Sequence, residues 1–367
     1  MKRRDVLKAG LMLCGRAVAA PLPAAPDQVT VYRAGTDGYH TYRIPAVIRT
    51  SKGTLLAFAE ARKNSTSDFG DIDMVVKRSS DGGKTWSAQM LIADRGEYSV
   101  GNPCPVIDRK TGTIWLPLIV APGNIKKEDL MEGRVAQTAW LTSSRDDGRS
   151  WAPLREITSQ VKDPGWTWFV TGPGVGIQLK DGRLVIPCDH RISGSDVPYS
   201  HVMFSTDGGQ SWKSGKAVGE KTNECQLVEL PGGDLLINMR SFHGQNRRAV
   251  ARSQDQGLTW TNLRLHEQLI EPACQASLIA PGSGRGRLLL FSNPAATTRV
   301  NLTVRASRDQ GETWPTSRAL HSGPSAYSCL VDLGSNNAGC LFECGEKTPY
   351  EEIRFARFSL DWLAAKD

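Results

Sequence analysis

The pattern Ser-x-Asp-x-Gly-x-x-Trp occurs five times along the chain, and it constrains the fold more than any other feature. The copies begin at Ser79, Ser144, Ser205, Ser253 and Ser307, with their aspartates at 81, 146, 207, 255 and 309. A pattern recurring at intervals of 48 to 65 residues marks a chain built from similar modules. The residue types describe a hairpin turn: a short Asp side chain accepts backbone N–H bonds, Gly supplies a positive φ, and Trp folds back over apolar surface. Five catalytic or calcium sites would be a different reading, but the wide, regular spacing argues for one structural device per module. Between the turns lie short runs rich in β-branched and large apolar residues, such as 54–60, 74–78, 113–120, 183–187, 201–205 and 287–292. No long segment keeps a 3.6-residue period. About four strands per module is the content of a propeller blade. The expected fold is therefore all-β, a six-bladed β-propeller with Asp-box turns, filling residues 27–367 as one domain. The box-less segment 328–360 would be the sixth module, with the strand around 29–33 helping to close the ring.

The 367 residues carry a net charge of +7, which raises nucleic acid or an acidic ligand as a partner class. Much of that charge sits in residues 1–20, where Lys2, Arg3, Arg4, Lys8 and Arg16 oppose only Asp5. A paired-arginine start, a moderately apolar middle and a small-residue end at 17–19 form an export leader of the twin-arginine type. A periplasmic or secreted location is expected from it. Beyond the leader no basic cluster remains, so nucleic acid is an unsuitable partner. No apolar stretch is long enough for a membrane span. The seven cysteines after the leader are odd in number and scattered, which suits free buried thiols better than a disulfide framework. Cys340 and Cys344 lack a second ligand pair for zinc, and no nucleotide or redox motif appears, so no metal and no cofactor are expected.

Several segments carry polar groups that strand building does not require. They include 42–45 (Tyr-Arg-Ile-Pro), 59–62 (Ala-Glu-Ala-Arg), 67–71 (Ser-Asp-Phe-Gly-Asp) and 101–105 (Gly-Asn-Pro-Cys-Pro). Further along come 171–174, 223–226 (Asn-Glu-Cys-Gln), 238–240 (Asn-Met-Arg), 293–299 and 325–328 (Ser-Ala-Tyr-Ser). With the Asp boxes, in this order, they make the chain resemble the sialidases (neuraminidases) of glycoside hydrolase family 33 from about residue 32 to 360.

The resemblance implies an exo-α-sialidase that releases terminal sialic acid from sialylated glycans, with net retention. It implies Arg43, Arg240 and Arg299 as the substrate-carboxylate triad, with Arg305 as a competitor for Arg299. A planar guanidinium fork suits a carboxylate through charge-assisted, bidentate bonds. Tyr327 matches the family's nucleophile and Glu224 its partner base, a tyrosine exception among glycosidases. A neutral phenol avoids repulsion from the substrate carboxylate. Glu224 would take its proton, and the nearby arginines are expected to lower the phenol pKa. Asp68 matches the general acid/base, with Asp71 and Asp73 as rivals in the same loop. Arg62 and Asn102 match substrate-binding positions, and Glu343 is expected to orient Arg43. The run 166–169 is a candidate border of the N-acyl pocket, with core packing as the competing reading. A trans-sialidase or an intramolecular, anhydro-forming sialidase would share this site. A non-catalytic glycan- or protein-binding relative would keep the boxes but lose members of the triad or Tyr327. A monomer is expected.

Overall fold

The computed structural model describes residues 25–282 and 287–365; the leader, 1–20, lies outside the described residues. The described chain is nearly all β-strand, with three short helices at Lys127–Met131, Thr158–Val161 and Leu360–Ala364. None of its helices is long and apolar enough to cross a membrane. The all-β expectation holds, but the six-bladed β-propeller does not. The strands form four sheets, of seven, nine, five and four strands. Only Thr222–Glu229, Leu235–Ser241, Arg247–Ser253 and Thr261–Ile270 make a simple four-stranded antiparallel meander.

Two pairings merge the other modules. One 19-residue strand, Thr316–Gly334, pairs with Val300–Ser307 through its first half and with Asn337–Cys344 through its second. A single parallel pairing, Ile72 with Ser99, joins the strands Ile72–Ser79 and Tyr98–Gly101 into the nine-stranded sheet. The repeat marks turns. It carries no information about hydrogen bonds between modules, and those bonds decide where one sheet stops and the next begins. The first described strand, Asp27–Arg33, pairs antiparallel with the last, Glu352–Ser359.

Apolar seams between sheets hold the molecule together. Tyr32, Leu55, Val75 and Phe355 join the seven- and nine-stranded sheets, and Ile119, Phe169, Ile186 and Trp212 join the nine- and five-stranded ones. Val185, Val202, Leu227 and Leu235 form the next seam, and Leu236, Leu289, Phe291 and Trp314 the one after. All seven described cysteines are free and buried within this core.

Each box turn closes in the same way. Ser79 Oγ donates to Asp81 Oδ1 at 2.8 Å and accepts from Gly83 N at 2.8 Å, while Asp81 Oδ1 accepts from the Lys84 and Thr85 amides, both at 3.0 Å. The glycine has a second reason to be glycine. Gly83 has φ +87°, and a Cβ there would sit 2.2 Å from the Phe355 ring of the neighbouring sheet. At Gly209, φ is +92° and the obstacle is the Trp115 ring at 2.3 Å. A box is thus both a turn and a dock.

Candidate active site

Three of the predicted residues owe their placement to one repeated backbone device. Along Thr41–Arg49 the register steps from Arg43 opposite Glu60 to Ala46 opposite Phe58, so Ile44 and Pro45 face Ala59 alone. Along Thr222–Glu229 it steps from Thr222 opposite Ser241 to Cys225 opposite Met239, and Asn223 and Glu224 face Arg240. Along Thr316–Gly334 it steps from Ser325 opposite Cys344 to Ser328 opposite Phe342, and Ala326 and Tyr327 face Glu343. Each is a two-against-one bulge, which bends the strand and re-aims a side chain. Ile44 takes φ +58°, a costly conformation for a β-branched residue. Pro45 has no N–H to give the ladder there.

The bulges bring Tyr327 and Glu224 together, although 103 residues separate them. The Tyr327 hydroxyl donates to Glu224 Oε1. Arg240 Nη1 donates to Glu224 Oε2 at 2.7 Å and to the Tyr327 hydroxyl oxygen at 3.3 Å. All three side chains are largely buried. Arg43 approaches the Tyr327 ring at 5.2 Å and Arg299 at 5.5 Å, so three guanidiniums border one phenol. The expected lowering of the phenol pKa is not what this environment produces. Burial raises it strongly and Glu224 raises it further, while Arg240 and Arg299 offset only part of the rise. Tyr327 is therefore held as a neutral phenol.

Glu343 is completely buried and collects four donors. Its Oε1 accepts from Arg43 Nε at 3.0 Å and Ile44 N at 2.8 Å; its Oε2 accepts from Arg43 Nη2 at 3.3 Å and Tyr327 N at 3.1 Å. One carboxylate thus ties the first bulge to the third. Burial works against the Arg43 charge, but Glu343 and the two flanking tyrosines more than offset it, and the guanidinium pKa rises.

Asp68 stands at the open side of this cluster. Arg62 Nη1 donates to its Oδ1 at 2.9 Å, and Arg43 Nη1 lies 3.7 Å from the same oxygen. Although 71% of the Asp68 side chain is open to water, its surroundings push the carboxyl up. Arg62, Arg43 and Arg299 more than offset that, so the net pKa lies below the usual carboxylate range. The rival aspartates point elsewhere. Lys63 Nζ pairs with Asp71 at 2.9 Å and Asp73 at 3.3 Å, and the Tyr39 hydroxyl donates to Asp73 at 2.7 Å. Arg305 stays in its strand, opposite Phe291 and Ser317, and joins none of the contacts above.

Glu60, in the segment 59–62, has no role that the sequence alone assigns. It is buried, accepts from Arg62 Nη2 at 2.6 Å, and accepts from Asn102 N at 2.9 Å, so it holds both supporting positions. In the run 166–169, Phe169 is core and Trp166 stacks on His190 at 3.8 Å. Trp168 Nε1 donates to Asp189 Oδ1 at 3.1 Å, an oxygen shared with Asn223 Nδ2 at 2.6 Å. Tyr350 had no signal at all: it follows Thr348-Pro349 in a loop without a repeating pattern, yet its ring lies 4.2 Å from the Arg43 guanidinium.

This arrangement defines a class, a β-sheet protein with a tyrosine–glutamate pair set among arginines, and comparison with known proteins names the family. A family described as "BNR repeat-like domain" matches residues 53–339. A sialidase of Bacteroides fragilis is 37% identical over 86% of this chain and 62% of its own length. An exo-alpha-sialidase of Aspergillus fumigatus is 32% identical over 93% of this chain and 88% of its own. Among solved structures, the Hadza microbial sialidase Hz136 superposes with a TM-score of 0.84 at 35% identity, covering 92% of this chain and 69% of that one. The chain belongs to the sialidase family. It spans less than two thirds of the Bacteroides relative.

Proposed function

We propose that the protein is an exo-α-sialidase acting on terminal sialic acid of sialylated glycans by double displacement with net retention. The carrying observation is the Tyr327 hydroxyl donating to Glu224 while Arg43, Arg240 and Arg299 surround it. Fixed positive charge meets the sugar carboxylate on the anomeric carbon. Glu224 takes the phenolic proton as the Tyr327 oxygen attacks that carbon, and a glycosyl–tyrosine bond forms while the glycosidic bond breaks. Asp68 gives a proton to the departing oxygen, then takes one from the water that cleaves the glycosyl–tyrosine; Glu224 returns its proton to the phenol. Tyr350 is a poor rival nucleophile, because its hydroxyl faces Arg299 and no carboxylate accepts from it among the described contacts.

The test is turnover of an aryl α-sialoside by the wild type and Tyr327→Phe. Cleavage by the wild type with loss of at least about a hundredfold in Tyr327→Phe is expected, since proton transfer and covalent attack both go. Near wild-type turnover by Tyr327→Phe would overturn the nucleophile assignment.

A further inference from the structure

The three guanidiniums are not held alike. Arg43 is fixed by Glu343 and Arg240 by Glu224, each through a charge-assisted bond. Among the described residues no carboxylate makes an ion pair with Arg299. Its Nη1 donates instead to the Tyr350 hydroxyl at 2.8 Å, and its carbonyl accepts from Ser325 N at 2.9 Å. The same Tyr350 lays its ring near the Arg43 guanidinium at 4.2 Å, a cation–π distance. One side chain therefore links two members of the triad, by its oxygen and by its face.

The loop that carries Tyr350 is built to hold it. It connects Asn337–Cys344 with Glu352–Ser359, and the Glu351 carboxylate accepts from three amides of that loop, Glu346 at 3.0 Å, Lys347 at 2.9 Å and Thr348 at 2.8 Å. The Glu351 carbonyl accepts from Ala34 N at 2.9 Å, which anchors the loop to the first described strand. Tyr350 itself packs against the small apolar cluster of Ile44, Cys274, Ala326 and Tyr327.

We propose that Tyr350 is a positioning residue that orients Arg299 for the substrate carboxylate without neutralising it. The proposal rests on the sialidase reading and goes one step further. A carboxylate in place of the phenol would fix Arg299 equally well, but it would satisfy the charge that the sugar acid must answer. A neutral phenol oxygen fixes the fork and leaves the charge free. Arg299 is then the triad member whose countercharge arrives with the ligand.

The experiment is a double-mutant cycle on Tyr350→Phe and Arg299→Ala. It reads binding of 2,3-didehydro-2-deoxy sialic acid and steady-state kinetics on 3′-sialyllactose. Tyr350→Phe keeps the ring near Arg43 and removes the hydroxyl. It should weaken binding roughly tenfold, the scale of a hydrogen bond to a charged group, and raise KM more than it lowers kcat, because the carboxylate is held in ground and transition states alike. In the Arg299→Ala background the same substitution should change binding less than about twofold, since a residue acting through Arg299 has nothing left to act on. Unchanged binding in Tyr350→Phe, or equal losses in both backgrounds, would overturn the proposal while leaving the sialidase reading intact. A wild type that neither binds the probe nor cleaves the substrate would overturn both.

Discussion

Glu343→Gln is the most informative single substitution, because it changes one atom at the point where two bulges meet. The native carboxylate accepts two N–H groups on each oxygen, from Arg43 and Ile44 on one and from Arg43 and Tyr327 on the other. Either placement of the amide points an NH2 group at two donors. Two hydrogen bonds become donor–donor contacts in a site where Glu343 has no exposed surface, and Arg43 loses the buried countercharge of Glu343. Leaving buried groups unpaired costs about 1–3 kcal/mol each, and breaking a buried ion pair costs about 3–5 kcal/mol. These overlap, so about 4 kcal/mol is the working figure. Unfolding entropy for a domain of roughly 340 residues is about 0.7 kcal/mol per degree, and the melting temperature should fall by about 6 °C. Ile44 at φ +58° is held partly by this carboxylate, so Arg43 should lose its aim as well. Thermal unfolding by circular dichroism and KM on an aryl sialoside read the two effects. A variant melting within 1 °C of wild type with unchanged KM would refute this account of the site.

Two further outcomes follow from the same contacts. Gly209→Ala must place a Cβ 2.3 Å from Trp115 at φ +92°, whereas Gly208→Ala has φ +70° but no contact closer than 3.9 Å. The first should cost about 2–4 kcal/mol and the second only about 1 kcal/mol in denaturant unfolding; equal losses would show that the box does not dock against Trp115. Asp68 is held ionised by its arginines, and its pKa lies below the usual range. The protonated form it needs as an acid therefore grows only as pH falls. With 3′-sialyllactose, kcat/KM should rise on acidification from neutral pH, as the protonated fraction of Asp68 grows. An aryl leaving group needs no such help, so Asp68→Asn should cost at least about tenfold less on the aryl substrate, and equal losses on both would remove Asp68 from the acid role.

Much of this was legible in the sequence because it resides in local chemistry. The five boxes announced themselves through residue types that a tight turn requires, and their serine–aspartate bonds recur at 2.7–2.8 Å in every copy. The fusion of modules into four sheets was not legible. It depends on the lone pairing of Ile72 with Ser99 and on a strand that runs on through Thr316–Gly334, and neither changes the turn pattern. The named arginines, Glu224 and Tyr327 could be read from motifs. The bulges that aim them could not, since nothing in the residue types of Asn223–Glu224 or Ala326–Tyr327 marks a step in register. Glu60 sits beside Arg62 in the segment 59–62, but its grip on Asn102 N crosses 42 residues and leaves no spacing signal.

The sign of the Tyr327 shift ties these details together. Had the arginines ionised the phenol in the resting protein, a phenolate would already occupy the centre of the triad and share the countercharge meant for the sugar acid. Burial and the neighbouring Glu224 prevent that, keeping the proton on oxygen although Arg240 donates to that same atom at 3.3 Å. The unligated site thus leaves Arg299 without an ion-paired carboxylate among the described residues; its guanidinium donates instead to the neutral phenol of Tyr350. A carboxylate entering there weakens the field that stabilises a phenolate. In the proposed reaction, transfer of the proton to Glu224 would then accompany attack, since a substrate-bound phenolate would lose much of the arginine stabilisation it needs. One carboxylate, one neutral phenol and three unequally paired arginines thus fit the proposed reaction, in which a weak nucleophile is activated only as it attacks.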